Sequence, residues 1–204
     1  MGSPGNDGGA GGAHVLLLPY PSQRHVHPML QFAKGLGVPR HAPHARCHPV
    51  HPRNLRVARR RRGGRHSGGR RPVRVLVYDA FLPWGRPVAA RHGAAAVAFF
   101  TQPCAVNVVY GHVWCGRLRV PVEAGDGEDG GGGAVALPGL PALSPEGLPW
   151  FIKVGPGPYP AYFDLVMKQF DGLELADDVL VNSFYELEPE NLNYWGIQIR
   201  KDQK

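Results

Sequence analysis

The sequence predicts an α/β layer fold built on a parallel sheet. Three short apolar runs carry that expectation: His14–Pro19, Val73–Phe81 and Ala94–Phe100. Each reads as a buried strand, and each is followed by a segment with helical apolar spacing. Strands alternating with helices are the pattern of a sheet covered by helices.

In chain order, residues 1–13 are Gly-rich and read as a flexible leader. The first strand, H-V-L-L-L-P, is closed by Pro19, and the residues from Pro19 to Pro28 read as loop. Met29, Leu30, Phe32, Ala33 and Leu36 then recur at helical spacing, giving an amphipathic helix that ends near Gly37. From Val38 to about Pro72 neither a helical nor a strand period is present. The pattern resumes at Val73, where V-R-V-L-V-Y-D-A-F reads as a strand ending in Asp79. Gly85–His92 reads as helix, Ala94–Phe100 as strand, and Gln102–Leu118 as helix. Gly125–Gly133 is a Gly/acid linker, and Pro138–Pro160 a loop punctuated by proline. Phe163, Val166, Phe170 and Leu173 place a helix over Tyr162–Leu175, and Asp178–Phe184 reads as a further strand. The tail from Asn191 is polar and patternless.

Composition bounds the function classes. Of 204 residues, 43% are hydrophobic and 19% charged, which is globular and enough for a core. Gly (28) and Pro (21) are well above ordinary usage, so long irregular stretches are expected. No apolar run reaches the ~18 residues of a membrane span. The amino terminus has no basic region ahead of its short apolar run, which argues against a signal peptide. Asn6 stands where a myristoylation motif has Ser or Thr. Cys47, Cys104 and Cys115 form no C-x-x-C pair, so the expectation is a cytoplasmic protein without structural disulfides or a zinc site.

The net charge of +7 is unevenly spread. Twelve arginines lie between Arg40 and Arg74, and without that block the remaining 11 basic residues face 16 acidic ones. A basic nucleic-acid- or anion-binding module using Arg40–Arg74 is therefore an alternative function, with Arg59–Arg62 as its densest patch. The segment has no aromatic residue on which bases could stack, which counts against nucleic acid. His41, His44, His48 and His51 have the spacing of a helical metal face, but Pro43, Pro49 and Pro52 forbid that helix, so no metal is expected. A third reading is out-of-frame translation. Shifting the frame by one base turns every His into Ile, Met or Thr and makes strand formers of a segment hostile to structure. On this reading residues 38–72 are out of frame and disordered.

Four blocks carry a resemblance. H-V-L-L-L-P-Y-P-S-Q-R-H-V-H-P-M-L-Q-F-A-K-G-L (His14–Leu36) resembles the amino-terminal signature of plant UDP-dependent glycosyltransferases, usually P-Y-P-S-Q-G-H-I-N-P-M-L-Q-F-A-K. V-Y-D-A-F around Asp79, F-F-T-Q-P-C-A (Phe99–Ala105) and A-D-D-V-L-V-N-S-F-Y-E-L-E-P (Ala176–Pro189) resemble later blocks in the same order. The resemblance implies a Rossmann-like parallel sheet forming the amino-terminal, acceptor-binding half of a two-domain GT-B-type enzyme. That domain would comprise residues 14–37 and 73–189, with 190–204 a tail outside the family pattern. The carboxy-terminal nucleotide-binding signature, W-x-P-Q…H-x-G-W-N-S…E-x-x-x-Q, does not occur in the 204 residues.

The same resemblance implies roles by position. His25 matches the general base, and Asp79 the carboxylate that orients it. Thr101 matches a contact to the donor sugar, while Phe81 and Phe100 match positions lining the acceptor pocket. The implied reaction is inverting transfer from a UDP-sugar, UDP-glucose above all, to a small phenolic or carboxylic acceptor. It needs no cofactor, metal or membrane. Imidazole suits the task because its ordinary titration range brackets neutral pH. Two departures stand out: Arg24 replaces the usual glycine before the base, and His27 the usual asparagine after it. The chain would then be a fragment, inactive by itself. Only 54 positions separate His25 from Asp79, fewer than in the family, so coding sequence would be missing between them.

Overall fold

The computed structural model describes residues 14–36, 72–122 and 134–195. Four parallel strands form one sheet in the order β1 (His14–Leu18), β2 (Val73–Asp79), β3 (Ala95–Phe100), β4 (Asp178–Val181). Parallel strands need crossover connections. Here α2 (Gly85–Arg91) joins β2 to β3, and α3 (Cys104–Trp114), α4 (Trp150–Lys153) and α5 (Pro160–Lys168) lie between β3 and β4. The basic Arg/His/Pro segment, the Gly/acid linker and the leader lie outside the described residues, apart from Pro72.

Strand alternation divides the core in two. Val75, Val77, Val97, Phe99 and Leu180 face α1 (Gln23–Leu36), where Met29 and Phe32 meet them. Leu76, Tyr78, Ala96, Ala98, Phe100, Val179 and Val181 face the opposite layer, which holds Ala89, Val108, Val166 and Phe170. Both faces of β2 and β3 are thus covered, and this is why their sequences are nearly continuous apolar runs.

Several boundaries differ from expectation, each for a local reason. The first strand is not buried: β1 is the edge of the described sheet, and Leu16 is 48% exposed. The stretch Pro19–Pro28 is not all loop, because α1 begins at Gln23, with the amides of His25 and Val26 both donating to the Ser22 carbonyl. Pro28 lies inside this helix; its ring forfeits one helical bond but holds a helical φ. The helix expected over Tyr162–Leu175 stops at Lys168. Gly172 takes a left-handed φ of 66°, and the Arg86 guanidinium donates to the carbonyls of Asp171 and Gly172, so the chain turns there. Phe170 and Leu173 still reach the core, but not from a helix that continues. The strand expected over Asp178–Phe184 ends at Val181. Gln102–Leu118 shortens to α3, and Pro138–Pro160 contains α4 and one 3-10 turn, Pro145–Gly147.

The tail is not patternless at its start. Residues Pro189–Tyr194 form α6, and Leu192 and Trp195 are buried against the core. Glu188 explains the anchorage. Its carboxylate accepts from the amides of Cys104 (3.2 Å) and Ala105 (2.6 Å), and from the Ser183 hydroxyl at 2.5 Å. The amino end of α3, preceded by Pro103 with no capping side chain, is therefore capped from across the fold.

Candidate active site

Two strand ends and one helix start converge on a single point. Asp79 is the last residue of β2, Thr101 follows β3, and His25 sits in the first turn of α1. Alternation puts Asp79 on the same sheet face as Val75 and Val77, the face that α1 covers. On α1, His25 and Met29 are four apart and point inward together. Such placement, outside the carboxyl ends of parallel strands, is where open α/β sheets bind ligands.

His25 Nδ1 lies 2.8 Å from Asp79 Oδ2, and both side chains are buried, 6% and 1% exposed. Asp79 is itself held: its Oδ1 accepts from the Phe81 amide at 3.0 Å. The Thr101 hydroxyl oxygen lies 3.1 Å from the same His25 Nδ1. A carboxylate can only accept, so the proton between His25 and an ionised Asp79 belongs to Nδ1. That leaves the lone pair on Nε2, which no described residue hydrogen-bonds. Thr101 Oγ1 then shares the Nδ1 proton as a second acceptor, and its own hydrogen is free to donate elsewhere. The Asn182 side chain fixes this turn by donating to the Thr101 carbonyl at 3.0 Å.

Aromatic rings enclose the imidazole. The Phe81 ring lies 4.6 Å from it, Tyr20 packs edge-on at 5.2 Å, and Tyr162 packs edge-on to Phe81 at 6.3 Å. Burial pushes the Tyr162 phenol up, with the Arg24 guanidinium pulling more weakly the other way.

The structure brings together His25, Asp79, Thr101 and Phe81. Phe100 it places elsewhere. That ring is 1% exposed and packs between Phe170 (5.7 Å) and Trp195 (5.0 Å) on the opposite face of the sheet. Tyr20, Tyr162 and Asn182 were not singled out from the sequence. Tyr20 had a signal, lying directly after the first strand, and so did Asn182, directly after the last; Tyr162 is distant in the chain and had none. Cys104, although at the start of α3, is no nucleophile: burial, with a smaller push from Glu188, drives its thiol up to about 12.

Among the described residues no group of His, Cys, Asp or Glu is arranged to hold a metal ion, and no helix is long and apolar enough to cross a membrane. No family model matches the chain. Individual proteins do. UDP-glucosyltransferase UGT13248 of Hordeum vulgare is 36% identical over 242 residues, covering 97% of this chain and 49% of the relative. The indole-3-acetate β-glucosyltransferase of Zea mays is 36% identical, covering 88% of this chain and 47% of the relative. A crystal structure of Os79 from Oryza sativa, in complex with U2F and trichothecene, superposes with a TM-score of 0.64 at 31% identity. That superposition covers 92% of this chain and 51% of the rice protein.

The chain belongs to the plant UDP-glycosyltransferase family. Its relatives are hexosyltransferases, and its four-stranded parallel sheet matches about half of a GT-B glycosyltransferase structure. The chain spans about half the length of the curated relatives it matches. The match to the Hordeum protein runs over more positions than this chain has residues, so that relative carries segments with no counterpart here.

Proposed function

We propose that the chain is the acceptor-binding portion of a cytoplasmic UDP-glucosyltransferase acting on small phenolic or carboxylic acceptors, with His25 as its base. The observation that carries this reading is the buried 2.8 Å contact between His25 and Asp79 at the carboxyl end of the sheet. With its Nδ1 proton committed to Asp79, the ring offers Nε2 to an acceptor hydroxyl. As the acceptor oxygen attacks the anomeric carbon, its proton passes to Nε2 and the bond from that carbon to the UDP oxygen breaks, so configuration inverts. Asp79 fixes the tautomer and stabilises the imidazolium, as the carboxylate does in a hydrolase triad. UDP departs as an anion and needs no proton from the base. In this reading Thr101, with its hydroxyl hydrogen free, bonds the donor sugar.

Phe81, its ring tilted against the imidazole at 4.6 Å, is the acceptor-side aromatic. Phe100 contributes from behind, holding the strand end that carries Thr101. Donor binding draws on the other half of the relatives, beyond what this chain matches. The stretch 38–72 we read as out-of-frame coding sequence, because neither a helical nor a strand period runs through it.

Calorimetric titration of the 204-residue chain with UDP-glucose is therefore expected to show no saturable binding. Joining it to the carboxy-terminal half of a close relative is expected to produce transfer to a phenolic or carboxylic acceptor. A micromolar constant for UDP-glucose on the chain alone, or a folded fusion with no transfer to either acceptor class, would count against this function.

A further inference from the structure

Glu188 stands in the E-L-E-P run after β4, directly before the proline that opens α6. Its side chain turns back to the sheet and makes no capping bond to its own helix. Oε1 accepts from the Cys104 amide and the Ser183 hydroxyl. Oε2 accepts from the Ala105 amide and, at 3.3 Å, from the Asn191 side chain. Each carboxylate oxygen therefore meets two donors, one for each lone pair. The amides of Cys104 and Ala105 are among those a helix leaves unpaired at its start, where negative charge is favourable.

What this carboxylate holds is the turn that carries Thr101. Between Phe100, the last residue of β3, and Cys104, the first of α3, lie only Thr101, Gln102 and Pro103. The start of the turn is tied to the end of β4. There the Asn182 amide donates to the Phe100 carbonyl at 2.8 Å, and the Asn182 side chain to the Thr101 carbonyl at 3.0 Å. The end of the turn is tied to the same place, because Glu188 joins the amides of Cys104 and Ala105 to Ser183, the neighbour of Asn182. Between these two ties the Thr101 hydroxyl oxygen lies 3.1 Å from His25 Nδ1. Hydrogen bonds to a charged group are roughly twice as strong as neutral ones, so the Glu188 tie is the firmer of the two.

We infer that Glu188 is a positioning residue: by clamping the start of α3 to the end of β4, it sets the Thr101 hydroxyl against His25. It acts through Thr101 and does not itself bond the imidazole. This inference rests on the reading of His25 and Thr101 as the reacting site. Glu188→Gln keeps the shape of the side chain but replaces one oxygen with an NH2 group, which sets donor against donor. The turn then loosens, the Thr101 oxygen withdraws from Nδ1, and its hydroxyl no longer stands where the donor sugar is to be bonded. A carboxylate that only stabilised α3 would leave the imidazole undisturbed when altered.

The test reads the His25 ring by nitrogen-15 NMR in the 204-residue chain, with Glu188→Gln, Thr101→Val and the two combined. Thr101→Val removes the hydroxyl and is expected to move the Nδ1 signal. Glu188→Gln is expected to move it in the same direction. The combined variant is expected to move it no farther than Thr101→Val alone, as for two residues acting through one contact. Ser183→Ala keeps the carboxylate but removes one of its donors; it is expected to give a smaller move in the same direction, and decides the matter if Glu188→Gln does not fold. In the enzyme completed with a relative's carboxy-terminal half, Glu188→Gln and Thr101→Val are each expected to raise KM for UDP-glucose about fivefold, the worth of one hydrogen bond. KM for the acceptor should stay within about twofold. A His25 signal unmoved by Glu188→Gln, or by Ser183→Ala in its place, would overturn the inference. So would combined shifts that simply add, or a donor KM raised by Thr101→Val but not by Glu188→Gln. Failure of the functional reading looks different: a donor KM unmoved by Thr101→Val sinks the donor role of Thr101 and leaves the coupling of Glu188 to His25 intact.

Discussion

His25→Ala, in the chain completed with a relative's carboxy-terminal half, is expected to lower transfer to a phenol by about 10²–10⁴-fold, the usual contribution of a positioned general base. The effect should fall on kcat, because the ring acts on the proton as the bond forms. The size of the loss should depend on the acceptor. A phenol with a pKa near ~10 is protonated at neutral pH and needs its proton removed. A carboxylic acid is already ionised and attacks without that help, so the same substitution should cost it about tenfold or less. Initial rates with paired phenolic and carboxylic acceptors check this. Equal losses on both would mean that the imidazole only positions substrate.

The second large effect concerns stability. Phe100→Ala is expected to destabilise the fold by about 3–5 kcal/mol, the range for emptying an aromatic core site. The ring is buried against Phe170 and Trp195, which tie α6 and the end of α5 to the sheet. For a chain of this size that corresponds to a fall in Tm of roughly 10 °C. Urea denaturation of the purified variant measures it. A loss below about 1 kcal/mol would show that Phe100 faces a pocket instead.

The different fates of Phe99, Phe100 and Phe81 show what was legible in the sequence. The strands β2 and β3 were legible because buried parallel strands are continuous apolar runs, and their carboxyl ends set Asp79 and Thr101 side by side. Phe99 and Phe100 are neighbours on a strand, so period-2 alternation sends them to opposite faces, and Asp79 shares a face with Val77. Phe100 therefore could be assigned to the core from the strand pattern alone; the resemblance by position pointed the other way. The start of α1 was hidden by Pro28, which reads as a stop although a helix tolerates it at the cost of one bond. The Tyr162 helix was overextended because buried residues in the following turn kept the helical spacing that Gly172 breaks. Tyr162 itself joins the site from a segment 137 residues after His25, a contact no local pattern encodes. Glu188 capping α3 is of the same kind: a carboxylate in the E-L-E-P run serves a helix more than 80 residues earlier.

The central claim is that Asp79 commits the Nδ1 proton of His25 and leaves Nε2 as the base. Nitrogen-15 NMR of the histidine rings, at a pH where the imidazole is neutral, reads that tautomer directly in the 204-residue chain. The geometry predicts that the His25 signal, identified by its loss in His25→Gln, reports a protonated Nδ1 and an unprotonated Nε2. In Asp79→Ala that bias toward Nδ1–H should weaken. A neutral His25 with its proton on Nε2 in the unaltered chain would contradict the account.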